Sequence, residues 1–245
     1  MTAARFCLLM VAFFAALLAV DRYADGRGQL LLAAATWSVL LAASRPLSRE
    51  RRAQVGLVVV AATCTEVIGS ILWGVYEYRL GNLPMFVPPA HGLVYLTGLR
   101  LSQSRLAGNA RAFVAVVLAL AAAWTLAGLT LLPRSDVAGA VGTATFAFFV
   151  LRGRAPVVYS AVFLVVAGLE LYGTALGTWR WAETIPGLGW PDGNPPSGVA
   201  SGYVLFDVIA LSLAPQAEAL VERVSSAAPR ARPAPGGSPA TGAPP

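Results

Sequence analysis

Residues 66–95, EVIGSILWGVYEYRLGNLPMFVPPAHGLVY, decide how this chain folds. The stretch starts inside an apolar run and carries an acid there, Glu66, which that run should bury. A group of aromatic residues and a loop with three prolines follow, and the only histidine of the chain, His91, comes after them. A proline-rich loop between two apolar runs predicts two helices joined by a rigid turn, with an acid inside the first helix.

Residues 170–202, ELYGTALGTWRWAETIPGLGWPDGNPPSGVASG, repeat this plan. Glu66 and Glu170 lie 104 positions apart, and each is followed by a glycine, paired aromatic residues and a Pro-Pro loop. The repeat predicts two four-helix halves in the same orientation, residues 1–106 and 107–224, an arrangement known among transporters. The remainder, 225–245, is rich in proline, alanine and glycine, and we expect a disordered cytoplasmic tail.

The composition indicates an all-α polytopic membrane protein. Hydrophobic residues make up 57% of the chain, charged residues 12%, and the mean hydropathy is +0.66. A soluble domain carries about 25% charged residues. We therefore predict about eight transmembrane helices over the apolar runs 3–20, 30–44, 55–76, 91–102, 113–132, 137–151, 155–176 and 198–214.

The arginines predict the orientation. All 18 basic residues are arginine, and with eight spans 13 of them fall on the side that holds both termini. The positive-inside rule then places both termini in the cytoplasm and both Pro-Pro loops outside. A re-entrant fourth segment would spoil this asymmetry. The abundance of arginine and alanine is typical of a GC-rich bacterium, so we expect a bacterial plasma membrane.

Several classes of partner are disfavoured. The arginines lie in short loops between apolar runs, which leaves no basic face for a nucleic acid. Cys7 and Cys64 lie inside apolar runs, and one histidine gives no metal-ligand spacing, so neither a disulfide nor a metal site is predicted. We expect no cofactor. The expected partners are the membrane and an apolar lipid or isoprenoid substrate; the oligomeric state is left open.

Three acids lie at similar depth in the predicted spans: Glu66, Glu170 and Asp207. A charge at the centre of a bilayer costs at least about 2.5–3.5 kcal/mol, so each acid should face the bundle interior. We interpret them as catalytic residues that border one cavity. The alternative is that they are hydrogen-bonded struts that lock the helices together.

Aromatic and polar residues near the acids are candidate substrate-binding residues. Helical spacing would put Trp73 and Glu77 on the same face as Glu66, and Trp181 on the same face as Glu170. The aromatic rings could instead form an outer belt, and His91 and Asn194 could simply begin helices. The full set of candidates is Trp73, Tyr76, Tyr78, His91, Trp179, Trp181 and Asn194.

The pattern Glu66-x-x-Gly69, then Gly74-x-Tyr76-x-Tyr78-x-Leu80-Gly81-x-x-Pro84, resembles the intramembrane carotenoid-modifying proteins. These are the bacterioruberin-type carotenoid hydratases and, more distantly, the heterodimeric-type lycopene cyclases. The resemblance covers about twenty residues, and Trp73 stands where that family has phenylalanine. It implies that an alkene of an isoprenoid is protonated within the bilayer, with Glu66 as the acid.

Two other functions are compatible with the same residues. A small transporter or lipid-binding protein could use the same carboxylates as proton relays, and it would need water-lined access from both sides. An assembly or structural protein would need the acids only to lock its helices. An enzyme of the carotenoid-modifying type would need a closed pocket that opens sideways to lipid.

Overall fold

The structure, a computed structural model, describes residues 1–227 of the 245-residue chain. Within that part the chain is mostly helical. A short 3₁₀ helix at Arg105–Ala107 lies between the two halves predicted from sequence. The α-helices are α1 (Ala3–Asp21), α2 (Gly26–Ser44), α3 (Arg49–Glu66), α4 (Val87–Ser102), α5 (Ala110–Thr130), α6 (Val137–Arg152), α7 (Pro156–Leu176) and α8 (Ala200–Ala227).

The helices have the apolar character of a membrane-embedded protein. In the described part, four helical segments are long and apolar enough to cross a membrane: Ala3–Asp21, Arg49–Trp73, Ala110–Thr130 and Pro156–Leu176. Val137–Arg152 and Ala200–Gln216 are apolar but shorter. Large apolar side chains such as Leu8, Leu31 and Leu126 remain exposed, as expected where helices face lipid. The predicted helical, membrane-embedded class agrees with this architecture.

Helices α3, α4, α7 and α8 form the centre of the fold. Helix α3 packs along α8, and α4 packs along α7. At the second contact a Cβ on Gly98 would lie 3.1 Å from the backbone of Val162, so only glycine permits this approach. Helix α4, the shortest predicted span, is buried at every residue from His91 to Leu99, because α1, α2, α3 and α7 surround it.

Helix α3 does not end as an α-helix. It continues as a π-helix, Val67–Trp73, and stops at Gly74, whose φ of 74° is left-handed. Helix α7 stops in the same way at Gly177, with φ 72°. Glycine adopts this conformation without the steric cost that other residues pay, so each helix ends with a sharp turn.

Each turn is followed by a three-residue strand, and the two strands pair. Strand β1 (Tyr76–Tyr78) is antiparallel to β2 (Trp179–Trp181), with Tyr76 opposite Trp181 and Tyr78 opposite Trp179. The prediction that Trp73 and Glu77 share a helical face with Glu66 is therefore wrong, because the π-helix changes the period and Glu77 lies in a strand. Trp181 likewise lies in β2, beyond the end of α7.

The C-terminal helix is longer than the predicted span. Helix α8 continues through Pro215 to Ala227, so the first three residues of the predicted tail are helical. The rest of that tail lies outside the described residues.

Candidate functional site

A cavity of about 170 Å³ lies between the central helices and the paired strands. Both glutamates line it, although Glu66 is only 7% exposed and Glu170 only 6%. Apolar side chains of α1, α4, α7 and α8 form much of the remaining wall. The polar and aromatic residues of the lining, besides the two glutamates, are Phe14, Thr65, Tyr76, Tyr78, Phe86, His91, Trp179, Trp181, Tyr203 and Phe206. The glycine and aliphatic members include Leu17, Leu18, Val94, Leu169 and Gly202.

Glu66 accepts hydrogen bonds from two tyrosines and faces a histidine. Its Oε2 accepts from the hydroxyls of Tyr76 at 2.8 Å and Tyr78 at 2.7 Å, and its Oε1 lies 3.3 Å from Nε2 of His91. Burial, and then the nearby charge of Glu66, raise the pKa of Tyr76, and the same causes raise that of Tyr78. Both tyrosines therefore remain hydroxyl donors.

The tautomer of His91 follows from its second contact. Nδ1 lies 2.9 Å from the carbonyl oxygen of Val87, which can only accept a hydrogen bond, so Nδ1 carries a proton. Nε2 of His91 and Oε1 of Glu66 are left facing each other with one further proton to share. That proton can therefore lie on either atom without a change in position.

Glu170 is held differently. Its Oε2 accepts from the indole nitrogens of Trp179 at 2.8 Å and Trp181 at 3.2 Å. Its Oε1 makes no hydrogen bond to any described residue, and this oxygen atom keeps some accessible surface. Glu66 and Glu170 are close enough to interact electrostatically. Of the two carboxyl groups in the cavity, Glu170 is thus the one with an oxygen available to a ligand.

The two glutamates share one local plan. Each is held by the two aromatic side chains of the strand that follows its own helix, and in each case a glycine one turn beyond the acid makes room for the first ring. A Cβ on Gly69 would lie 3.1 Å from the Tyr76 ring, and a Cβ on Gly173 would overlap the Trp179 indole.

The two copies of this plan differ by one residue in spacing. Tyr76 lies 10 positions after Glu66, whereas Trp179 lies 9 positions after Glu170. A π-turn contains one residue more than an α-turn. The π-helix Val67–Trp73 therefore accounts for the extra position, and the aromatic donors reach equivalent places.

Aromatic rings make up much of the wall around the acids. The rings of Tyr76 and Trp181 are 4.6 Å apart between centroids, and Tyr203 stacks on His91 at 5.1 Å with an interplanar angle of 17°. Phe206 meets the edge of the same imidazole at 6.0 Å. Faces of such rings stabilise a positive charge placed over them.

Three of the candidate residues are not brought into the cavity. Asp207 is buried at 2% exposure but does not line it, because it lies one turn of α8 beyond Tyr203. Trp73 is 47% exposed, and its indole donates to the carbonyl of Pro186. Asn194 is exposed, and its Oδ1 accepts from the backbone nitrogen of Trp181 at 2.9 Å. Asn194 therefore positions β2 instead of contacting the cavity.

Sequence reasoning missed Tyr203 and Phe206, which complete the wall beside His91. A signal for Tyr203 was present, since it precedes Asp207 by four residues and so shares its helical face.

Among the described residues, no group of three or more His, Cys, Asp or Glu side chains has an arrangement that could hold a metal ion.

A second buried acidic cluster, which the sequence analysis did not predict, anchors the loop at residues 193–198, the GNPPSG loop. Asp136 begins α6 and accepts hydrogen bonds from the backbone nitrogens of Gly139, Gly193 and Ser197 at 3.0, 2.9 and 2.8 Å. Asp192 lies nearby, buried, with both carboxyl oxygens lacking a hydrogen-bond partner among the described residues. Burial, reinforced by the charge of Asp136, raises the pKa of Asp192 to about 7.

No protein-family model matches the sequence, and neither a curated protein nor a solved structure is significantly similar to it.

Proposed function

We propose that this protein is an intramembrane enzyme that protonates an alkene at the end of a long isoprenoid, as a cyclase or a hydratase does. One observation carries the proposal. Glu170 shares an apolar cavity with aromatic walls with the proton-sharing pair Glu66 and His91. One carboxyl oxygen of Glu170 is held by two indoles, and the other makes no hydrogen bond to a described residue.

The size and lining of the cavity favour an apolar chain end as the ligand. A cavity of about 150 Å³ lined by apolar side chains accommodates a benzene molecule, so 170 Å³ suits a group of about six or seven carbons. That is the terminal part of an isoprenoid and not a whole one. The resemblance of residues 66–84 to carotenoid-modifying proteins supports the same substrate class.

The chemistry needs only groups that are present. The carboxyl proton of Glu170 adds to the less substituted carbon of a terminal alkene, and a positive charge develops on the tertiary carbon. The faces of Tyr203 and Trp181 stabilise this carbocation. The cation then either closes a ring and loses a proton, or binds water that loses a proton. In both cases the proton passes to Glu66 and His91.

We also propose that the protein spans a bacterial plasma membrane eight times, as two parallel four-helix halves with both termini in the cytoplasm. The matching surroundings of Glu66 and Glu170, and the matching helix ends at Gly74 and Gly177, support an internal duplication. Pairing of α3 with α8 and of α4 with α7 supports it as well. The arginine distribution supports the orientation.

Amide substitutions test the catalytic role of the acids. In Glu66→Gln and Glu170→Gln the side-chain size is retained and the ionisable proton is lost, so product formation should fall by about 10²–10⁴-fold. Glu77→Gln is the matched control, because Glu77 lies between Tyr76 and Tyr78 but is exposed. The variants are expressed in a bacterial host that makes an acyclic carotenoid. The amount of each pigment is measured and divided by the amount of folded protein.

The test also separates the alternatives. If Glu66→Gln and Glu170→Gln are stable and leave the isoprenoid profile unchanged, the enzyme proposal is wrong and a proton-coupled transporter becomes the better interpretation. If both variants lose folded protein and activity falls only in proportion, the acids are struts. The near-complete burial of both glutamates disfavours a water-lined passage at their carboxyl groups.

A further inference from the structure

The cavity holds only the end of a long apolar chain. Its volume of about 170 Å³ leaves most of an isoprenoid outside. The part outside is as apolar as the end, so it is most stable where it avoids water. A chain of this kind therefore needs an opening that joins the cavity to the lipid phase.

Two residues of the wall mark a gap in the protein. Among the described residues that line the cavity, Thr65 of α3 alone is exposed, although Glu66 beside it is buried. Gly202 of α8 lines the cavity and is half-buried. No described atom from outside its own stretch of α8 lies within 4 Å of the position that a Cβ on Gly202 would take. Since α3 packs along α8, the two residues lie on neighbouring helices.

The surface beside this gap is apolar. Ile68 and Leu72 follow Thr65 and are 53% and 74% exposed. Leu205 lies three residues after Gly202, on the same face of α8, and is 47% exposed. Exposed aliphatic side chains on a membrane helix match the apolar character of lipid tails. The gap is therefore bordered by surface that faces lipid.

The cavity is covered on one side and not on the other. Helix α1 packs on α4 and α7 and contributes Phe14, Leu17 and Leu18, all buried, to the wall. In the proposed duplication the counterpart of α1 is α5. Helix α5, which is described over its whole length, packs on α6 and α7 and contributes no residue to the wall. The side formed by α3 and α8 thus lacks the helix that closes the side formed by α4 and α7.

We propose that the cavity opens to lipid between Thr65 and Gly202, and that an isoprenoid enters there end first and leaves the rest of its chain in the opening. The proposal rests on the proposed function, because that function supplies the long apolar ligand. Glycine at position 202 keeps the opening wide enough for a chain. Residue 202 therefore determines whether the protein accepts ligands longer than the cavity.

Fluorine NMR of the purified full chain, labelled with fluorotryptophan, tests the opening. The signals of Trp179 and Trp181 in the cavity wall are assigned as those that Trp179→Phe and Trp181→Phe lack. Three ligands are titrated: an acyclic carotenoid, hexadecane, and a methylpentene that carries the alkene of an isoprenoid end and lies wholly within the cavity. All three should shift these two signals in the wild type.

Thr65→Phe and Gly202→Leu narrow the opening from its two sides. Each should weaken binding of the carotenoid and of hexadecane at least tenfold, because the added side chain clashes with the part of the ligand in the opening. Binding of the methylpentene should change by less than about threefold. The matched controls are Cys64→Phe and Gly168→Leu, which should change no affinity. Cys64 is exposed next to Thr65 but does not line the cavity, and Gly168 is exposed on α7 with free space at its Cβ position.

The three ligands separate the opening from the proposed function. Unchanged binding of both long ligands by Thr65→Phe and Gly202→Leu would refute the opening. Equal weakening of the methylpentene, equal weakening by the controls, or no response of the wild type to either long ligand would also refute it. A wild-type response to hexadecane but not to the carotenoid would instead refute the isoprenoid substrate of the proposed function, while the two variants would still test the opening with hexadecane.

Discussion

Gly173→Ala is the sharpest test of how the acids are held. A Cβ at position 173 would overlap the Trp179 indole that donates to Glu170. The indole must therefore move, and the hydrogen bond to Oε2 is lost. Gly168→Ala is the matched control, because Gly168 lies in the same helix and has no atom within 4 Å of its Cβ position.

The magnitude follows from three terms. Overpacking costs about 1–3 kcal/mol, and a lost hydrogen bond costs about 0.5–1.5 kcal/mol, or up to about 3 kcal/mol if Glu170 is charged. Alanine in a helix interior regains about 0.5–1 kcal/mol relative to glycine. The net destabilisation of Gly173→Ala is about 1–5 kcal/mol, whereas Gly168→Ala should be neutral or slightly stabilising.

Thermal unfolding in detergent, followed by tryptophan emission, measures this difference. At about 2–4 °C per kcal/mol for a chain of this size, Gly173→Ala should lower the Tm by about 2–20 °C relative to Gly168→Ala. Equal Tm values for the two variants would show that Trp179 is not packed on Gly173. The arrangement of Glu170 with its two indoles would then be wrong.

Two further predictions concern the cluster that anchors the GNPPSG loop. Asp136→Ala removes a helix cap and two loop anchors, so we expect it to destabilise the protein by about 2–4 kcal/mol. The control Asp25→Ala should cost about 1 kcal/mol, because the Asp25 side chain caps α2 through Gly28 alone. Chemical unfolding that gives the two variants equal stability would contradict this. Asp192 has a raised pKa of about 7, so the folded state binds its proton more tightly than the unfolded state and stability falls as pH rises from about 4 to 7. Asp192→Asn should remove that loss and stabilise the protein by about 1–2 kcal/mol above pH 7, after allowance for solvent screening, and Tm values across this pH range that parallel the wild type would refute it.

The buried acids could be predicted from sequence because a glutamate inside an apolar run has few alternatives to facing the bundle interior. Glu66 and Glu170 do so, and both line one cavity. Trp73 and Trp181 were placed on the helical faces of Glu66 and Glu170, which is wrong. The π-helix changes the period before Trp73, and a three-residue strand such as β2 carries no detectable period of two. Only the contact with β1 makes residues 179–181 a strand.

The details that set the site geometry depend on tertiary contacts. The π-helix at Val67–Trp73 has no sequence signature, although the one-residue offset between the two halves is its consequence. Asn194 was a candidate substrate-binding residue, but its amide oxygen accepts a hydrogen bond from the backbone nitrogen of Trp181. Asp207 was expected at the cavity from its depth alone, and depth does not fix which turn of α8 faces the opening.

Deuterium labelling is the most direct test that a carboxyl group of this cavity protonates an alkene. Membranes that contain the wild type or Glu170→Gln are supplied in D₂O buffer with an unlabelled acyclic carotenoid, and the products are analysed by mass spectrometry and NMR. The wild type should give a product with one solvent deuterium bound to carbon at each modified end, and Glu170→Gln should give at least about 10²-fold less. A modified product without carbon-bound deuterium, or equal labelling with both membranes, would contradict the proposed protonation by Glu170.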